Sequence, residues 1–495
     1  ANAQDSPNSG VTRPVSSIGT VPVKIDSNGG SIVLKGGEML FSDATLLANA
    51  GGSTATGGSL TVSSGFFKPD GTVPPVNTVN LRVKQDGPVI GGANAAIGST
   101  LGDGGHFSIG SFSRGGFDNL TLGGVVSFQG PMDVTARGSL KVATDGFLRA
   151  DSQVNLTASH VALGKAFVAP ALPDAPASPF GGSTFTPTHG SGSLNVTAKV
   201  IDIGTLSLQN IGTASLTANQ GDIRGNGAFH MADDLTLRAG QIYPLTATSL
   251  SFIAYDHSQA GSITIEQSGT RQLPLSAGGK LGIYASVIEQ HGTLRAPFGS
   301  IQLGWDGTGT APVDIIAGNS KPMPVTSQVT LGKGSVTSVS AVDPRTGKGI
   351  VIPYGVSTDG ENWIDPRGVD ITTGGVPEKE IVIAGKSVTT EDGSTVDLRG
   401  GGDLYAYRWV AGLGGPSDIL ASEGSFAIIP GYDASFAPVS DFNAAPAETN
   451  LIQDAGNGYT NCSLKVGDRI YVAGSKTLAE GYYTLLPARY ALMPG

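Results

Sequence analysis

The chain has 495 residues, of which 74 are glycine and only 14 per cent are charged; typical proteins hold ~7 per cent glycine and ~25 per cent charge. An apolar content of 39 per cent with a formal charge of −10 excludes wholesale disorder and offers no basic stripe for nucleic acid. The single cysteine, Cys462, excludes an internal disulfide.

Residues 1–28 hold Pro7, Pro14 and Pro22 and read as irregular. From Gly29 the phrases GGSIVLKGGEMLF and GGSLTVSSGFF begin a repeat. Each phrase alternates apolar with small polar residues at period two and closes on glycine, the pattern of a short half-buried strand and a turn. Residues 66–118 are less regular, with one good strand over 79–85. The clearest block follows, in LTLGG (120–124), VSFQG (126–130), MDVTARG (132–138), GSLKVATDG (138–146) and VNLTAS (154–159). It continues in GSLNVTAK (192–199), GTLSLQNIG (204–212), DLTLRAG (234–240) and GSITIEQSG (261–269).

No phrase is long enough for an amphipathic helix. Short imperfect repeats of this kind bury their apolar faces only by stacking on neighbours. The expected fold is all-β: a right-handed parallel β-helix over 29–399, carrying a Pro-rich loop at 169–192. Leu120, Leu122, Leu140, Val142, Leu156, Leu194, Val196, Leu206, Leu208, Leu235 and Leu237 should point inward. Residues 400–495 leave the repeat and read as a β-rich terminal module, as expected of atypical end units.

Catalytic and metal patterns are sparse. No C-x-x-C or H-E-x-x-H spacing occurs, and the G-G-x-G-x-D calcium repeat is missing. No cofactor or metal is therefore implied. β-Helices also scaffold polysaccharide lyases and hydrolases, so we weighed Asp103, His106, His230, Asp233, Asp234, Asp256, His257, Glu289 and His291. Hydrolysis needs two carboxylates facing each other across about 5–10 Å, and no column of acids at matching positions of neighbouring repeats stands out. The plain reading of Asp233 and Asp234 is a solvated turn. Trp363, Tyr405, Tyr407, Trp409 and Tyr432 make a candidate carbohydrate or partner contact. Their alternation suits a packed face equally well. No run of about 18 apolar residues predicts a membrane-spanning helix, and the two ends read as those of a piece of something longer.

Several phrases go beyond simple alternation. GGSIVLKGGEMLF (29–41), DLTLRAGQIYP (234–244) and PLSAGGKLGIYASVIEQHGTLRAPFGSIQLG (274–304) resemble the repetitive rods of the filamentous haemagglutinin family of large bacterial exoproteins. GGDLYAYRWVAGLGGPSDIL (401–420), SFAIIPGYDASFAP (425–438) and GYYTLLPARYALMPG (481–495) resemble a module found in a subset of that family, and are the more specific. The resemblance implies a right-handed parallel β-helix and two-partner secretion of the parent protein through an outer-membrane partner. It further implies a non-enzymatic role in adhesion, surface contact or biofilm, outside the cell or on its surface. The Asn-rich start of the family's secretion domain is not evident in residues 1–60. A self-assembling extracellular filament subunit, stacked end to end, is the alternative, and a β-helix polysaccharide enzyme the second.

Overall fold

The computed structural model describes residues 26–493 except 38, 54, 66–78, 91–103, 144–145, 165–185, 257–260, 317–318, 358–359, 366–368, 409, 414–417, 419, 421–424, 431, 433–465, 467–468, 473 and 477. These residues build a nearly all-β, solenoid-like rod. The alternating phrases are strands, and successive repeats pair in parallel rather than as hairpins. Consecutive strands of one repeat occupy three different faces, here A, B and C. Asn119–Gly123, Val126–Gln129 and Met132–Thr135 form one such rung, and Ser139–Ala143, Phe147–Ala150 and Gln153–Thr157 stack on it in register.

Inward side chains line up in columns. On face A the column runs Ile32, Leu60, Leu120, Leu140, Val161, Ile201, Ile223, Ile242 and Leu294. All eleven residues expected to point inward are 1 per cent exposed or less. Each such burial stabilises by roughly 1.5–3 kcal/mol. The column turns polar only at Thr337, whose hydroxyl meets Gln290 Nε2 at 3.3 Å inside the core. Gln290 also donates to the carbonyls of Gly292 and Val336, both at 3.1 Å, so this buried amide is satisfied. Tight corners need glycine: a Cβ on Gly221 would stand 1.6 Å from the Lys199 carbonyl oxygen.

Four features depart from the expectation. A single helical turn, Ile109–Arg114, packs beside Met132–Thr135, where face C would otherwise begin. Ile109 and Phe112, three apart, share its buried side. Second, residues 188–192, expected in the Pro-rich loop of 169–192, belong to strand Thr188–Ile203, while 169–185 lie outside the described residues. Gly192 has no side chain to clash with the Ala150 and Asn210 carbonyls, both closer than 2.7 Å to where a Cβ would lie, so small residues let the ladder start early. Third, a hairpin of Val313–Ile316 and Asn319–Pro322 lies across the outside of the rod.

The fourth concerns the boundary at residue 400. Among the described residues the last rung is Glu380–Ile383, Ser387–Thr390 and Thr395–Asp397. The 403–407 segment then pairs in parallel with Val351–Val356, which left the rod fifty residues earlier. The terminal module therefore draws on 339–379 as well, because strand Asp403–Tyr407 has its partner there.

Candidate functional site: a buried charge ladder on the rod's flank

Outward residues of face A should be wet, yet over 200–243 they are not. Asp202, Arg224 and Tyr243 occupy one outward column on three successive rungs. All three are 2 per cent exposed or less. Arg224 grips Asp202 with both ends of its fork, Nε to Oδ1 at 2.7 Å and Nη2 to Oδ2 at 3.3 Å. From the rung below, His160 donates Nε2–H to Asp202 Oδ2 at 2.6 Å; a carboxylate only accepts, so this nitrogen carries the proton. Asp222 accepts from Tyr243 Oη at 3.3 Å and from Arg271 Nε at 3.0 Å.

The electrostatics follow. Burial alone would raise the Asp202 carboxyl, but the Arg224 charge and the His160 hydrogen bond outweigh it and hold it at about 2. Burial pushes His160 below its ordinary value despite Asp202, so the ring stays neutral. Burial, with Asp222 nearby, pushes the Tyr243 phenol far up. Near neutrality Asp202 is therefore charged and the Tyr243 phenol protonated.

The cover comes from far along the chain. Phe426–Ala427 pairs with Leu486–Pro487 and leads into a 3₁₀ turn, Ala488–Leu492. Ala427, Val466, Leu486 and Tyr490 bury themselves against Leu275 of the rod. Tyr490 Oη donates to the Leu275 carbonyl at 3.4 Å. Leu275 belongs to a stretch, 268–279, that forms no strand, so face A steps directly from Ile242 to Leu294. That gap is where the segment seats. Beside it, Ile352 and Tyr354 of Val351–Val356 pack on Ala247, Ala277 and Phe298 at the rod's corners. Gly278, at φ +69°, sits so close to Tyr354 Oη that a Cβ would come within 2.6 Å.

The predicted aromatic contact divides. Tyr405 and Tyr407 share one side of Asp403–Tyr407, partly buried. Trp363 lies next to the paired strand, adjoining the Val356–Ile364 bridge. Trp409 falls outside the described residues. Tyr432 belongs elsewhere: it packs with the Leu275 cluster, and burial followed by the neighbouring Tyr243 and Asp222 pushes its phenol well up. Tyr432 therefore leaves the proposed platform, because its ring joins the cover over the ladder. A cross-strand pair that sequence reasoning missed, Tyr471 and Tyr482, is 53 and 61 per cent exposed with ring centroids 5.2 Å apart.

The acids weighed for catalysis are dispersed. Asp103, His257 and Cys462 lie outside the described residues. His106 stacks on Phe41 at 5.3 Å. His230, 1 per cent exposed, meets Asp314 at 2.8 Å and so ties the external hairpin down. Asp233 pairs with His189 at 2.8 Å, Asp234 accepts from Ser262 at 2.6 Å, and His291 stands 3.4 Å from Glu289. Asp256 is partly buried. Asn155 bridges the rungs, donating to Asp133 at 2.6 Å and accepting from Asn195 at 2.9 Å. A groove lined by Lys280, Glu378, Lys379 and Glu380 carries two charges of each sign, with no preference for an anion or a cation. Among the described residues no three His, Cys, Asp or Glu gather as metal ligands, and no helix is long and apolar enough to cross a membrane.

Fold and flank together define the class: an all-β, solenoid-like rod with its C-terminal segment folded back along one face. No family model, no curated protein and no solved structure matches the chain at a significant level.

Proposed function

We propose that this chain is a segment of a secreted bacterial surface exoprotein of the filamentous haemagglutinin kind. In this reading it is a non-enzymatic rod that makes adhesive or structural contacts at the cell surface or in biofilm. The rod is right-handed, the hand that connections between parallel strands almost always take. The parent protein leaves the cell through an outer-membrane partner, and this part lies outside the cell.

One observation carries the reading. The three phrases most specific to that family, 401–420, 425–438 and 481–495, include the strands that leave the stack and the segment that packs on Leu275. The chain thus pairs a repetitive scaffold with a lateral appendage. On the flank where that appendage seats, the carboxylates Asp202 and Asp222 are buried and held by Arg224 and Arg271.

The test is adherence. Beads coated with the folded chain should hold to host-cell monolayers, or to biofilm of the producing bacterium, several-fold better than beads coated with heat-unfolded chain. Equal adherence of the two, or release of sugar products from a panel of acidic and neutral polysaccharides, would overturn it.

A further inference from the structure

One outward position of face A is charged, buried and without a carboxylate of its own. Arg295 follows the inward Leu294, so it takes the next outward place after Asp202, Arg224 and Tyr243 in their column. It is 8 per cent exposed. Its Nε finds no hydrogen-bond partner, and among the described residues no carboxylate oxygen stands within 4.0 Å of the guanidinium. Arg224, equally enclosed, has Asp202 on its fork. A buried guanidinium without acceptors is costly, because its five N–H donors give up water and gain nothing in return. Burial pushes Arg295 below its ordinary value, and the charges of Asp397 and Asp343 offset only part of that.

Those two carboxylates are already engaged. Asp397 holds Arg399, Oδ1 to Nε at 2.9 Å and Oδ2 to Nη2 at 3.0 Å, and Asp343 stands 3.6 Å from Arg345. Three guanidiniums thus meet two carboxylates, and the surplus positive charge is the buried one. Ser338 stands opposite Arg295 on the next rung and is fully enclosed. Its Oγ accepts from the Ser340 amide at 3.2 Å, which leaves its proton free to donate. Asp397 follows Ser338 in the column, so the exposed Arg399 marks the outer rim. Lys379 joins that rim, donating to the Arg399 carbonyl at 3.1 Å with its charge 5.9 Å from the Phe298 ring.

We propose that Arg295 and Ser338 form a buried site for a small tetrahedral oxyanion, inorganic phosphate or sulfate, with Arg399 and Lys379 drawing it in. A guanidinium meets such an ion with two parallel N–H···O bonds. Exposure this low favours the free ion over the same group esterified to a polymer. The site rests on the rod's flank and not on its adhesive role, so bead adherence and anion binding fail separately.

Isothermal titration calorimetry of the full chain, at fixed ionic strength in chloride, tests it with sodium phosphate and sodium sulfate. Saturable binding of a single ion is expected, with methyl phosphate binding more weakly. Arg295→Met should weaken binding by about tenfold or more. Ser338→Ala, the milder change, should weaken it less, with the circular dichroism of both variants unchanged. Phosphate should also raise the thermal midpoint of the native chain more than that of Arg295→Met. No saturable binding to the native chain, binding indifferent to both substitutions, or tighter binding of methyl phosphate than of phosphate would each overturn the proposal.

Discussion

Arg224 and Asp202 oppose each other across neighbouring rungs, with Nε and Oδ1 2.7 Å apart and both side chains no more than 3 per cent exposed. On a bare rod these outward positions would meet water. The ion pair is buried because residues of 425–493 pack along that side of the rod, so its energetics report on the attachment.

Breaking the pair from one side strands a buried charge. Arg224→Met should lower unfolding free energy by about 3–5 kcal/mol, whereas Arg224→Met with Asp202→Leu should cost much less. Urea midpoints of the single and double variants check this, the prediction being a double variant more stable than the single.

Acid should loosen the ladder in two stages. His160 has a folded value below its ordinary 6.5, so its neutral form favours the fold above that pH, and the advantage fades as pH drops below it. Asp202 sits at about 2 against an ordinary 3.8. Its contribution, roughly 2 kcal/mol, is complete above about pH 5 and is lost progressively as pH falls through 2. Urea midpoints between pH 7.5 and 2.5 should show both losses, and the double variant that lacks Asp202 and Arg224 should lose the lower one.

Alternation makes a prediction about neighbours in sequence. Leu216 faces inward with no exposure, while Thr217 faces outward on the ladder of Thr135, Thr157 and Thr197. Leu216→Ala should cost about 2–5 kcal/mol. Thr217→Ala should stay within about 0.5 kcal/mol. Equal effects on the thermal midpoint would mean that the faces are assigned wrongly.

Buried contacts tie the external hairpin to the rod. Met323 packs there with Ile253 and Tyr284, and Asp314 meets His230 at 2.8 Å. Asp314→Leu leaves His230 without its acceptor and should cost about 1–3 kcal/mol. Backbone amides of 313–322 should then exchange much faster, while the strands of the rod beneath keep their protection.

Much of the rod was legible because its information is local. A two-residue alternation fixes which side faces in, and Leu120, Leu140 and Val161 recur 20 and 21 positions apart, one rung each. The ladder was not legible. In VIDIG and GDIRG, Asp202 and Arg224 alternate with apolar residues as any wet outward residue does. What buries them arrives from residues such as Tyr490, 215 positions beyond Leu275, and no periodicity encodes that contact. The charged residues set among apolar ones at 200–203 and 222–225 were the only local signal. The aromatic group failed in part for the same reason: closeness in sequence placed Tyr432 with Tyr405 and Tyr407, whereas packing placed it with Tyr243.

Peptide-resolved hydrogen exchange on the intact chain tests most directly that the C-terminal segment is locked to the rod over the charge ladder. Slow exchange is predicted for Thr188–Ile203, Leu206–Gly225 and 481–492 alike, with Arg224→Met accelerating 481–492 while 119–157 stays protected. Free exchange at 481–492 in the native chain, or protection there indifferent to Arg224→Met, would contradict it.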